Sequence, residues 1–156
     1  MRPRRDMLDV DIPCPEPNAG VPFICATDSK LLVAYLPEEG AQESIPGHMV
    51  VLSVKPGTVV YAAVEFPSPY AYKVERPTLD LEGCGVGEVG DSDWAKEVAD
   101  SFNPARIPSN GQIRHFRIAF RTATMLECLA GEYIVRFLDG DWPLAQRHIV
   151  DKLLAT

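Results

Sequence analysis

Residues 114–121 constrain this chain more than any other stretch. They read Arg-His-Phe-Arg-Ile-Ala-Phe-Arg. Phe116, Ile118 and Phe120 recur at every second position, which is the period of a strand, whose successive side chains point to opposite faces. The segment is read as a strand whose apolar face meets a core. His115, Arg117 and Arg121 then share the other face. Residues 124–130 are again apolar-rich and follow after a short break, so the two segments predict a hairpin.

The register of that hairpin decides where Glu127 points. A three-residue loop at 122–124 puts Leu126, Cys128 and Ala130 on the core face and Glu127 outward, near the arginines. A two-residue turn puts Glu127 among Phe116, Ile118 and Met125. The first register is favoured because it buries no charge.

The same logic places the remaining elements. Apolar runs at 23–26 and 31–36, split by Thr27-Asp28-Ser29-Lys30, predict a first hairpin. Residues 49–54 and 58–66 predict a second, turning at Lys55-Pro56-Gly57, where proline presets one turn position and glycine supplies the next. Residues 70–82 fit either a short strand or a single turn of helix. Residues 86–89 and 133–138 predict further strands. Asp91, Ser92 and Asp93 are all good helix caps. They start a helix over about 93–102, with Trp94, Ala95, Val98, Ala99 and Phe102 on one apolar face. Asp141 at the N-cap and Pro143 in the first turn open a second helix over about 142–154. Its stripe is Trp142, Ala145, Ile149 and Leu153.

Most connections are too short for crossover helices. The expected fold class is α+β, a mainly antiparallel sheet of about seven strands with two helices. Pro13, Pro15 and Pro17 alternate around Cys14 and Glu16, which excludes a helix there. Residues 1–20 are expected to form a Pro-rich extended N-terminal arm on the surface, and residues 21–156 a single domain.

Charge narrows the partners. The net charge is −7, the wrong sign for a large nucleic-acid footprint or an anionic membrane surface. A basic protein partner suits it. No stretch approaches the roughly 20 apolar residues of a membrane span, and no apolar run follows the basic N-terminus as in a secretory signal. The four cysteines, Cys14, Cys25, Cys84 and Cys128, form no C-x-x-C pair. They are read as free, mostly buried thiols of a reducing compartment, so the chain is expected to be cytoplasmic.

Chemistry-bearing motifs are sparse. Gly85-Val86-Gly87-Glu88-Val89-Gly90 matches G-x-G-x-x-G and precedes a helix. Glu88, Asp91 and Asp93 would repel phosphates, and no βαβ unit surrounds the motif. It is read as a strand with a bend, and no cofactor is expected. His48, His115 and His148 lack zinc-site spacing, so no metal is expected. Cys128 with His115 has no helix N-terminus to lower the thiol pKa, so Cys128 is read as a buried structural thiol. Ser44, Ser53, Ser68 and Ser109 lie in no G-x-S-x-G elbow. Trp94 and Trp142 are read as packing residues.

The row of His115, Arg117 and Arg121, with Glu127 facing it, is the candidate ligand site. Three basic-capable side chains together could hold a carboxylate or phosphate. The plainer alternative is cross-strand pairing with Glu127 or Glu132, about 0.2–1 kcal/mol per pair.

Arg114-His115-Phe116, then Phe120, then Glu127-Cys128-Leu129-Ala130 resembles an uncharacterised bacterial protein family with a segment like RHFxFTFHDSTFECVA. Gly85-Val86-Gly87-Glu88-Val89, Ser92 and Trp94 are similar to its G-V-x-E-V…S-S-W stretch, and Leu31-Leu32-Val33-Ala34-Tyr35 is similar too. The likeness covers roughly residues 22–132. It implies no activity. Where the family has H-D-S-T, this chain has Arg121-Thr122-Ala123-Thr124.

Two functional expectations result. One is a non-catalytic cytoplasmic binding or protein-interaction domain, regulatory or immunity-like, partnered by a basic protein or by its own copies. The other is a small enzyme or anionic small-ligand binder using the His115/Arg117/Arg121 row. A deep pocket beside the row favours the second, and an open sheet edge the first.

Overall fold

A computed structural model of the chain describes residues 7–17, 22–38, 49–52, 60–76, 85–101, 113–120, 124–139 and 142–154. Its strands are β1 (Met7–Leu8), β2 (Phe23–Ala26), β3 (Lys30–Tyr35), β4 (Met49–Leu52), β5 (Val60–Pro67), β6 (Ala71–Glu75), β7 (Val86–Val89), β8 (Arg114–Phe120), β9 (Thr124–Ala130) and β10 (Ile134–Asp139). Its helices are α1 (Asp93–Ser101) and α2 (Trp142–Leu154). The α+β, mainly antiparallel expectation holds in outline, but the strands form two five-stranded sheets rather than one sheet of about seven.

The first sheet has the order β1-β7-β8-β9-β6, antiparallel throughout. The second runs β2-β3-β5-β10-β4, with β4 parallel to β10. Their inner faces meet in one core. Phe116, Ile118, Phe120, Leu126 and Cys128 from the first sheet pack with Leu31, Val33, Tyr35, Val64, Phe66 and Phe137 from the second. Ring pairs Phe66–Phe116 (5.6 Å) and Tyr35–Phe120 (5.2 Å) bridge the two sheets, near the spacing aromatic pairs prefer. The helices cap the outer faces. Ile149 and Trp142 of α2 pack on Leu32, Ala34 and Ala63 of the second sheet, and α1 lies on β8 of the first. None of the helices among the described residues is long and apolar enough to cross a membrane.

Two expectations need correction, and one open alternative closes. Segments 49–54 and 58–66 are not a hairpin, because β10 lies between β4 and β5 and pairs with both. Local turn chemistry at 55–57 carries no information about a strand arriving from residue 134. The proposed turn itself lies outside the described residues. Of the two alternatives for segment 70–82, residues 71–75 take the strand, β6, which adds to β9 at the sheet edge. Finally, Cys14 is disulfide-bonded, while Cys25 and Cys128 are free. The all-thiol expectation fails at Cys14, and with it the support it lent to a reducing compartment.

Residues 7–17 run extended across the domain. Met7 and Leu8 pair with β7, Ile12 enters the core at 4% exposure, and Pro13 carbonyl accepts the buried Tyr35 hydroxyl at 2.6 Å.

Candidate functional site

The site begins where β7 turns into α1. Asp91 holds a left-handed backbone conformation, φ +52°, which aspartate tolerates better than most residues. Ser92 follows as the N-cap. Its Oγ accepts the Ala95 N–H at 3.1 Å and its carbonyl accepts the Lys96 N–H at 3.2 Å. Because β7 pairs with β8 in the register Val89↔His115, this helix start sits beside the His115 ring.

Ser92 Oγ lies 2.7 Å from His115 Nδ1, and His115 Nε2 lies 2.9 Å from Glu127 Oε1. All three residues are buried, at 6%, 5% and 8% exposure. Glu127 reaches the histidine because the β8–β9 register sets Arg117 opposite Glu127 and His115 opposite Leu129, so His115 and Glu127 share the outer face as diagonal neighbours. The other carboxylate oxygen, Oε2, takes Lys73 Nζ of β6 at 3.3 Å, since Lys73 pairs directly with Glu127. Trp94 of α1 closes the cluster. Its ring meets His115 edge-on at 5.2 Å, and Lys73 Nζ stands 4.7 Å over it.

The hydrogen bond from His115 holds the Glu127 carboxyl below its ordinary range, with help from Lys73 and against the opposing effect of burial. An ionised Glu127 can only accept. In its neutral form the imidazole then carries its proton on Nε2, leaving Nδ1 as acceptor for the Ser92 hydroxyl proton. Proton positions follow here from network logic. The result is a directed chain, Ser92 O–H to Nδ1 and Nε2–H to Glu127.

A cleft of about 450 Å³ opens beside this chain. Ser92 and His115 line it, together with Leu8, Ala99, Ile113 and Arg114. Its charged side chains neutralise one another: Arg114 reaches Glu88 at 2.7 Å, and Lys96 pairs with Asp91.

The predicted row is thus only partly assembled. His115 and Glu127 come together, but under α1 rather than in water. Arg117 is half-buried beside them, makes no ion pair with Glu127 although it stands opposite it in the register, and has a buried Nε without a hydrogen-bond partner among the described residues. Arg121 lies outside the described residues. The outward placement of Glu127 relative to the inter-sheet core holds, although Phe120 pairs with Thr124, so the connection is 121–123 rather than 122–124. Cys128 pairs with Phe116 and faces the inter-sheet core, away from His115. Burial pushes its thiol up to about 12.

Sequence reasoning missed Ser92, Lys73 and Trp94. Ser92 had a usable signal, a serine at a strand–turn–helix junction after Gly90-Asp91, but its aptness as a cap hid it. Lys73 sat in the ambiguous 70–82 segment, so no face could be assigned to it.

Comparison with known proteins finds no matching family model, curated protein or solved structure. Among the residues that carry the sequence resemblance, Ser92, Trp94, His115 and Glu127 meet in this one cluster.

Proposed function

We propose that this chain binds a small, uncharged molecule in the cleft beside Ser92 and His115. The carrying observation is that the cleft reaches a buried, hydrogen-bonded polar chain of three residues. Its volume falls within the roughly 300–1,000 Å³ of small-molecule sites. Buried polar groups bordering a cavity fix the orientation of a ligand whose remaining surface is apolar. An anionic ligand has less support. The cations at the cleft already have acidic partners, and Arg117 does not line it.

The test is thermal unfolding against a panel of neutral esters, amides, sugars and nucleosides, with carboxylates and phosphates as a second arm. A neutral compound is expected to raise Tm. The rise should vanish in Ala99→Trp, which fills the cleft from α1. A panel without any shift, or a shift that survives Ala99→Trp, refutes the site.

A second reading keeps the protein-interaction role, regulatory or immunity-like, and rests on a different surface. The edge strand β6 carries Tyr72 and Val74 at 45% and 48% exposure. Exposed apolar edges invite strand addition. Under this reading sedimentation shows concentration-dependent association that Val74→Lys removes. A monomer at every concentration rules out self-association through this edge.

A further inference from the structure

We infer that Ser92 is a nucleophile, activated by His115 and oriented through Glu127, that cleaves a small neutral carboxylic ester bound in the cleft. This rests on the cleft being a ligand site, as proposed above.

The geometry meets the requirements of an activated serine. The nucleophile touches its base at 2.7 Å, and the base touches an orienting carboxylate at 2.9 Å, both within the reach that proton transfer needs. A space for the reacting molecule adjoins serine and base together. The ring is turned so that Nδ1 rather than Nε2 faces the serine. The chemistry needs one nitrogen on each side, and this ring supplies it.

A purely structural role explains less. Capping α1 requires only that Ser92 Oγ accept the Ala95 N–H, and it needs no histidine. Burying a histidine and a carboxylate costs free energy that apolar side chains would not. Here that cost falls at the one edge of α1 where the cleft meets the sheet. The α1 N-terminus, the positive end of the helix dipole, borders the same cleft through Ser92 and Ala95, where it would favour negative charge on a bound ester.

The step balances as follows. Ser92 Oγ forms a bond to the ester carbonyl carbon while its proton moves to His115 Nδ1. The tetrahedral adduct collapses, the bond from carbon to the alkoxy oxygen breaks, and the leaving alcohol takes the proton from Nδ1. Water then attacks the acyl-Ser92 ester and gives a proton to Nδ1. The carboxylic acid departs, and that proton returns to Ser92 Oγ. Glu127 accepts the Nε2–H bond throughout and stabilises the transient imidazolium.

The test uses the full chain and a fluorophosphonate probe, with p-nitrophenyl acetate as a reporter ester. One phosphonyl group is expected on Ser92, with fluoride released, located by peptide mass spectrometry. Ser92→Gly keeps a residue that helix N-caps accept; with the fold verified by circular dichroism, both labelling and ester cleavage should vanish. His115→Gln should slow labelling about a hundredfold or more, and Glu127→Gln should slow it as well. If a neutral compound binds in an Ala99→Trp-sensitive way while Ser92 stays unlabelled, the nucleophile is refuted and the binding site stands. If there is neither shift nor label, both fall. Label on another residue, or cleavage that survives Ser92→Gly, also overturns the inference.

Discussion

At Glu127 the pH dependence of this fold has a definite sign. Its carboxyl is held below the ordinary value of 4.5, first by the His115 hydrogen bond. A depressed native value means the unfolded chain binds more protons over that range, so stability rises with pH there. The contribution is complete above about 4.5 and is lost as pH falls through the native value. Urea unfolding measured from neutral to acid pH should show this loss, and Glu127→Gln should flatten it. An unchanged acid slope in that variant contradicts an ionised, bonded Glu127. The cysteines give a second residue-level test. The chain has four, of which Cys25 and Cys128 are free and Cys14 is bridged. Alkylation of the denatured, unreduced chain should therefore label Cys25 and Cys128, and Cys14 only after reduction. In the native protein Cys128 should resist alkylation, because its thiol is buried and pushed up to about 12. Alternation in residues 116–120 put His115 on the outer face, and only the favoured one of two hairpin registers put Glu127 there with it. Neither could show that a helix would cover that face, because coverage depends on contacts distant in sequence.

Among the elements, hairpins closed by short turns were legible. The β2–β3 and β8–β9 pairs follow from alternation and adjacency. The β4–β10 pairing joins segments more than 80 residues apart, and no local propensity encodes it. The glycine motif shows both sides of this. Its strand was readable, while the reason for Gly87 was not. A Cβ there would lie 2.7 Å from Met7 Cε and 3.1 Å from the Leu8 carbonyl oxygen. The methionine tip can move, but the backbone oxygen is held in the β1–β7 pair. Gly87→Ala should cost about 1–3 kcal/mol and release β1, read as faster amide hydrogen exchange at Met7 and Leu8. Exchange identical to wild type would show that β1 is not seated on Gly87.

For the whole molecule, the sequence signal for two sheets was present in segments apolar at consecutive positions. Leu31 to Tyr35 and Ala62 to Phe66 are buried on both faces, and all of them but Glu65 are apolar, as strands covered on both sides must be. Glu65 is matched by Arg136 at 3.2 Å. A one-sheet expectation has no place for so much two-sided burial. The sandwich predicts that one inner-face truncation is felt globally. Phe116 of the first sheet is 1% exposed and touches the Phe66 ring of the second sheet and the Tyr133 ring just before β10. Phe116→Ala should cost about 3–5 kcal/mol in a single cooperative unfolding transition. A loss under about 1 kcal/mol would mean the two sheets do not share this core.

The directed chain from Ser92 to Glu127 is most directly tested by nitrogen-15 NMR of the His115 ring at about pH 8.5. The neutral imidazole should carry its proton on Nε2, with Nδ1 bare and hydrogen-bonded to the Ser92 hydroxyl, and Glu127→Gln should perturb that signal. A proton on Nδ1 with Nε2 bare would contradict the relay, and with it the role given to Ser92.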